Sequence, residues 1–175
     1  MPDSTNLELG PCNIYLEESA ADVNVGYLGN VTLALASEAS PLTGAQKGTS
    51  PLDKILTGGG VKVTIEFKEM TLANFARAFP HAVLLSQGGS RVDFKNRVGL
   101  SLRSLAKKLT LKKIVGGTES ALTKDRLIIP EASPVEGELS VSFTPTDQRV
   151  LSAVFEAWPN DTTGRWGYFG DELAS

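Results

Sequence analysis

Cysteine and histidine each occur once in the 175 residues, as Cys12 and His81. A lone cysteine cannot close an internal disulfide, which excludes a disulfide-stapled secreted domain and fits a reducing compartment. Cys12 has no basic neighbours in sequence to lower its pKa, so it reads as a small strand residue. His81 follows Pro80 with no partner in view and reads as a surface turn residue, so nucleophilic triads and most transition-metal sites lack their usual ligand or base. Zinc would need more Cys or His than exist. No apolar run approaches the roughly 20 residues that span a bilayer. Met1–Gly10 has neither a basic nor an apolar region of the kind that begins a signal peptide. Phosphate loops are absent too. In Gly44–Ser50 the lysine, Lys47, precedes Gly48 and the spacing fails, while Gly58–Gly60 leads into a strand pattern and offers an anion no helix N-terminus.

What is present is ordinary globular material: 41% hydrophobic, 21% charged and a net charge of −3. That balance argues against disorder and against a general nucleic-acid binder. Its distribution is uneven. Residues 91–126 hold 10 Lys/Arg against 3 Asp/Glu, whereas 1–90 hold 5 against 9 and 127–175 hold 2 against 8. The basic middle contains Arg103, Lys107, Lys108, Lys112 and Lys113. Two readings stay open: solvated faces that neutralise one another within one fold, or complementary patches that meet between subunits. Direct gripping of nucleic acid is disfavoured, because no aromatics interleave these cations to stack on bases. The carboxylate pairs Glu17–Glu18, Glu66/Glu69 and Asp171–Glu172 read as solvated charge, and no catalytic residue, metal ligand or cofactor is expected.

Hydrophobic periodicity points to strands. Val61, Val63, Ile65 and Phe67 alternate with Lys62, Thr64, Glu66 and Lys68, which predicts a strand with one wet face. Strands are also expected at Leu9–Leu16, Val31–Ala36, Leu127–Ile129 and Glu138–Thr144, with a turn-rich stretch at Asp22–Gly29. Arg91–Val98 and Leu100–Val115 remain ambiguous. Thr71 is placed to cap a short helix with Leu72, Phe75, Ala76 and Phe79 on one side and Pro80 as its stop. Arg149–Trp158 fits a helix by periodicity, although Leu151, Ala153, Phe155 and Ala157 also allow a strand. Gly164–Gly170, aromatic and glycine-rich, should complete a sheet edge. Ser37–Gly60 is the anomaly. Twenty-four residues rich in Gly, Pro and Ser are too long for a casual connection, yet they include Leu42, Leu52, Ile55 and Leu56. This predicts an arm that packs on something, with a short helical turn at Pro51–Leu56. The sum is one mainly antiparallel β domain, a sandwich or open barrel, spanning 1–175 with 37–60 inserted.

From Tyr27 onward the chain resembles the tail tube proteins of long-tailed, siphovirus-like bacteriophages. The resemblance lies in the order of short motifs. These are Tyr27-Leu28-Gly29-Asn30-Val31, the arm with Pro51-Leu52-Asp53-Lys54-Ile55 and Gly58–Gly60, and the strand Val61–Phe67. Lys68-Glu69-Met70-Thr71-Leu72-Ala73-Asn74-Phe75 comes next, then Leu105–Leu111, Gln148–Asp161 and Phe169-Gly170-Asp171. The resemblance implies a β-sandwich or half-barrel whose sheets join across subunits, with 149–157 as a strand. It implies rings, six copies each, stacked into a tube through which DNA passes as cargo. Tape-measure, tail-terminator and tail-tip proteins would be the other partners, and the virion the location after assembly in the host cytoplasm. Leu42, Lys47, Leu52, Asp53, Ile55 and Leu56 would then form an inter-ring arm, and Lys62, Thr64 and Glu66 a lumen face. Arg103, Lys107, Lys108, Lys112 and Lys113 would form a charged interface. Another β-rich particle component, a secretion-type tube ring and a small-ligand-binding β domain remain the alternatives.

Overall fold

The computed structural model describes residues 11–18, 21–43, 51–87, 89–135 and 150–171, with the side chains of Pro51 and Leu52 excepted. In chain order the strands are β1 (Cys12–Glu18), β2 (Ala21–Asn24), β3 (Leu28–Thr43) and β4 (Pro51–Phe67), followed by the helix α1 (Leu72–Ala78). Then come β5 (Ala82–Leu85), β6 (Arg91–Phe94), β7 (Lys107–Val115), β8 (Thr118–Glu119), β9 (Arg126–Pro134), β10 (Leu151–Ala157) and β11 (Tyr168–Phe169). Every strand pairing is antiparallel. The main sheet runs β2-β1-β7-β9-β10-β4-β3, with β8 added to β7 and β11 to β9, while β5 and β6 form a separate hairpin. The fold is mainly β, as periodicity predicted, with one short α-helix and no closed barrel among the described residues.

Alternation sets which face is buried. Val61, Val63, Ile65 and Phe67 of β4 point into the core beside Leu151, Ala153 and Phe155 of β10. Ile14 and Leu16 of β1 lie opposite Leu111 and Leu109 of β7, and Leu109 lies opposite Ile129 of β9. These residues form one apolar cluster that Val25 and Ala78 complete.

The sheet is rolled. Val25 N–H donates to Ile14 O on β1, and Tyr27 O accepts from Lys68 N–H at the end of β4. Strands β1 and β4 are separated in the sheet by β7, β9 and β10, yet three residues, at most about 10 Å of chain, bridge them. Asn74 of α1 fastens that bridge. Its side chain is 1% exposed, and its amide donates to Val25 O at 3.0 Å and Glu69 O at 2.9 Å. Its Oδ1 accepts from Arg77 Nη1 at 2.7 Å, and Arg77 makes a two-point pair with Glu18 on β1. A buried amide with its groups satisfied in this way holds a unique geometry, because any other placement strands a polar group away from water.

Several local expectations are revised. Thr71 does cap α1, with its Oγ1 accepting from Asn74 N–H, and the chain turns extended at Phe79. However, the helix buries Asn74 and Ala78 and leaves Leu72 exposed. Of the expected apolar stripe, Phe75 packs against the core, and beside it the buried latch from Asn74 to Val25 fixes the helix. Residues 151–157 are a strand and not the helix that periodicity favoured, because β10 is central and bonds β4 on one side and β9 on the other. Tertiary pairing overrides local propensity there. Pro51–Leu56 is strand as well, paired with Ala39–Thr43, so the expected helical turn is absent. Asp22–Gly29 holds most of β2, the three-residue link 25–27 and the start of β3, and Leu102–Leu105 is a single 3-10 turn before β7. His81 is not partnerless, since its Nδ1 lies 3.3 Å from Arg97 N–H and 3.1 Å from Lys95 O. The strand expected at Glu138–Thr144 lies outside the described residues, as does Lys47.

Candidate assembly surface

β3 and β4 are far longer than the strands they join, at 16 and 17 residues. β10 accompanies β4 only from Phe67 to Lys62. Beyond that point β3 and β4 continue alone as a two-stranded ribbon, in register from Leu35↔Val61 to Leu42↔Asp53 with a bulge after Glu38. From Ala36 to Thr43 the ribbon runs roughly 23 Å at about 3.3 Å per residue. It does not fold back on the core: Leu35 is 71% and Leu56 72% exposed, and Leu42 and Ile55 are also open. An isolated two-stranded hairpin is marginal in water, and among the described residues no strand pairs with either outer edge of this one. β3 also lies at the border of the whole sheet, which is a long edge of the kind that pairs with another chain unless something covers it.

The arm residues therefore lie on this ribbon. Ser40, Leu42, Asp53 and Ile55 share one face, and Ala39, Pro41, Lys54 and Leu56 share the other, because the bulge moves β4 by one residue relative to β3. Leu52 falls on the β4 backbone. At the ribbon's base, a Cβ on Gly59 would come within 2.8 Å of Ala36 O and 3.2 Å of Trp166. Trp166 itself packs on the core. Glycine is needed there because the tail segment lies directly on the ribbon.

Lys62, Thr64 and Glu66 sit together on the face of the sheet opposite the core. Their cross-strand partners are Ala34 and Thr32 on β3, and Glu156, Val154 and Ser152 on β10. Charge there is balanced: Glu156 lies opposite Lys62, and Glu66 accepts from Asn30 N–H.

The basic set is largely engaged within its own chain. Arg103 pairs with Glu131 and Asp161, Lys107 with Glu18, Lys108 with Asp22, and Lys112 with Glu119. Only Lys113 of the five has no ion pair among the described residues. Hydrogen bonds donated to Asp161 and then to Glu131 hold the Arg103 pKa above its usual value. The Arg77 guanidinium, with help from Lys107, lowers Glu18 to about 2 against the opposing effect of burial. Tyr15 hydroxyl donates to Glu119, which raises the phenol and lowers the carboxylate, while Asn13 and Lys112 add to the latter. Burial raises the Cys12 thiol, the reverse of a reactive cysteine.

Between α1 and the sheet lies a cavity of about 120 Å³ lined by Leu16, Phe79, Leu105 and Phe155 together with Arg77, Arg97 and Lys107. Each cation already has a partner: Arg77 and Lys107 hold Glu18, and Arg97 holds Pro80 O. Among the described residues no three His, Cys, Asp or Glu side chains gather as a metal site would require.

No known family model matches this chain, and no curated protein does. Among solved structures it is similar to a chain from the cryo-EM structure of the anti-feeding prophage baseplate, six-fold symmetrised. That similarity has a TM-score of 0.48 at 10% identity and covers 97% of this chain and 95% of the other.

Proposed function

We propose that this chain is a structural subunit of a phage-tail-type particle and, within that class, a tail tube protein. Copies join into rings, six to a ring by the tail-tube resemblance of the sequence, and the rings stack around a lumen that passes DNA. The observation that carries this reading is the exposed β3–β4 ribbon. It has apolar side chains on both faces, and no described strand pairs with either of its edges, a form that is marginal in water until another surface covers it. The open border of β3 supports the same reading, since sheets extended across subunits consume such edges. The balanced polar face of Lys62, Thr64, Glu66 and Glu156 suits a conduit, because an excess of cations would release counterions from DNA and bind it. Tape-measure, tail-terminator and tail-tip proteins are the further partners the resemblance implies, in a virion assembled in the host cytoplasm.

Deleting residues 40–57 tests the reading. It leaves Glu38, Ala39 and Gly58 as a three-residue connection between the cross-strand pair Ser37 and Gly59, a length that hairpins accept. The shortened chain should fold with an unchanged melting profile and stay monomeric, while the full chain forms rings or tubes of uniform width under the electron microscope. Tubes from the deleted chain, or a full chain that stays monomeric at high concentration, would defeat the proposal.

A further inference from the structure

An open slot of about 300 Å³ lies where the sheet splits. β10 ends at Ala157, and beyond it β9 and β4 no longer share a neighbour. β11 adds only two residues to β9, so a gap persists between β11 and the base of the β3–β4 ribbon. Leu33, Leu35 and Val61 line one side, and Leu127, Trp166 and Phe169 the other. Phe169 and Leu35 are largely exposed. The one charged lining residue is Arg165, whose guanidinium has no carboxylate partner among the described residues.

The ribbon tip is the complement of this slot. Among its described residues, the face of Ser40, Leu42 and Ile55 carries one acid, Asp53, in register with Leu42. Asp53 has no ion pair among the described residues, and its Oδ1 accepts only the adjacent Lys54 N–H. The tip cannot enter its own slot. Leu35 and Val61 of the slot form the ribbon's base, and the tip stands roughly 20 Å away along a ribbon whose register is pinned. We infer that the slot receives the ribbon tip of a second copy of this chain, with Asp53 of the incoming tip meeting Arg165. Tip and slot are different surfaces, so each copy can give one contact and receive another. A heterologous contact of that kind closes a ring or propagates as a filament.

The inference rests on the self-assembly reading above, and the test separates the two. Asp53→Arg and Arg165→Asp are made singly and together in the full chain, and association is followed by analytical ultracentrifugation. Each single variant places like charges together and should weaken association roughly tenfold or more. The double variant should recover most of the loss. A second measurement avoids charge altogether. In a Cys12→Ser background, an Ile55→Cys chain mixed with a Phe169→Cys chain should crosslink between chains under mild oxidation, and neither should crosslink alone. If the wild-type chain assembles while the single variants match it, the double variant shows no recovery, or the mixed chains fail to crosslink, the slot assignment is overturned and self-assembly stands. A wild-type chain that never associates overturns both.

Discussion

Replacing Glu18 with Gln should flatten the acid side of the stability profile. Arg77, 10% exposed, grips Glu18 at 3.0 and 3.1 Å, and Lys107 adds a third contact at 3.2 Å. These contacts lower the carboxyl from 4.5 in the free side chain to about 2. At full strength that difference corresponds to roughly 3 kcal/mol. Glu18 is 33% exposed, and solvent screening reduces the figure to about 1–2 kcal/mol. The folded state has the lowered pKa, so this stabilisation is complete above pH 4.5 and drains away as pH falls from there towards 2. Urea melts of the wild type between pH 6 and pH 3 should therefore show a loss that the Glu18→Gln chain lacks. At pH 6 the variant should be less stable by the same amount, or roughly 2–8 °C in Tm for a chain of this size. Glu119, also lowered, stays in both proteins and supplies a common background slope. Parallel pH profiles for the two proteins would refute the assignment of Glu18 as the group that ties α1 to β1.

Asn74→Ala should cost about 2–4 kcal/mol in urea unfolding, because it strands Val25 O, Glu69 O and one Arg77 N–H in the interior. A loss under 1 kcal/mol would mean that Asn74 does not hold the bridge across the rolled sheet. Gly59→Ala should push Trp166 off the ribbon base, shifting tryptophan emission to the red and lowering stability by about 1–2 kcal/mol, since Ala36 O is backbone and cannot yield. Unchanged emission would show that the two segments do not touch.

The strands with one wet face were legible from period-2 alternation, and β4 is the clearest case. Thr71 as a cap and Pro80 as a stop were legible because capping and breaking are local chemistry. The arm was legible only as an anomaly, an over-long Gly- and Pro-rich stretch with leucines in it. Its form as a β ribbon was hidden because its hydrogen bonds come from partners 8 to 24 residues away, from Thr43↔Pro51 to Ala36↔Gly60. Asn74 left no sequence signal at all, since one polar residue in a helix pattern says nothing about which carbonyls it will meet. The slot beside Arg165 was hidden for a similar reason: it exists because β10 stops where β9 and β4 continue.

By itself, the order of apolar and polar side chains determined that this chain would be a β protein and which face of a clearly alternating strand such as β4 would be dry, because those properties depend on neighbours one or two residues apart. It also set a composition with a single Cys and a single His, and so the chemistry open to the chain. Only the tertiary structure decided that residues 151–157 would be strand, that the sheet would roll until Val25–Tyr27 bridged its two sides, and that Arg103, Lys107, Lys108 and Lys112 would pair within the chain. Those outcomes depend on contacts between residues far apart in sequence, such as Glu18 with Arg77, Lys107 with Glu18 and Arg103 with Asp161. Their energies arise only once the backbone has brought the partners together.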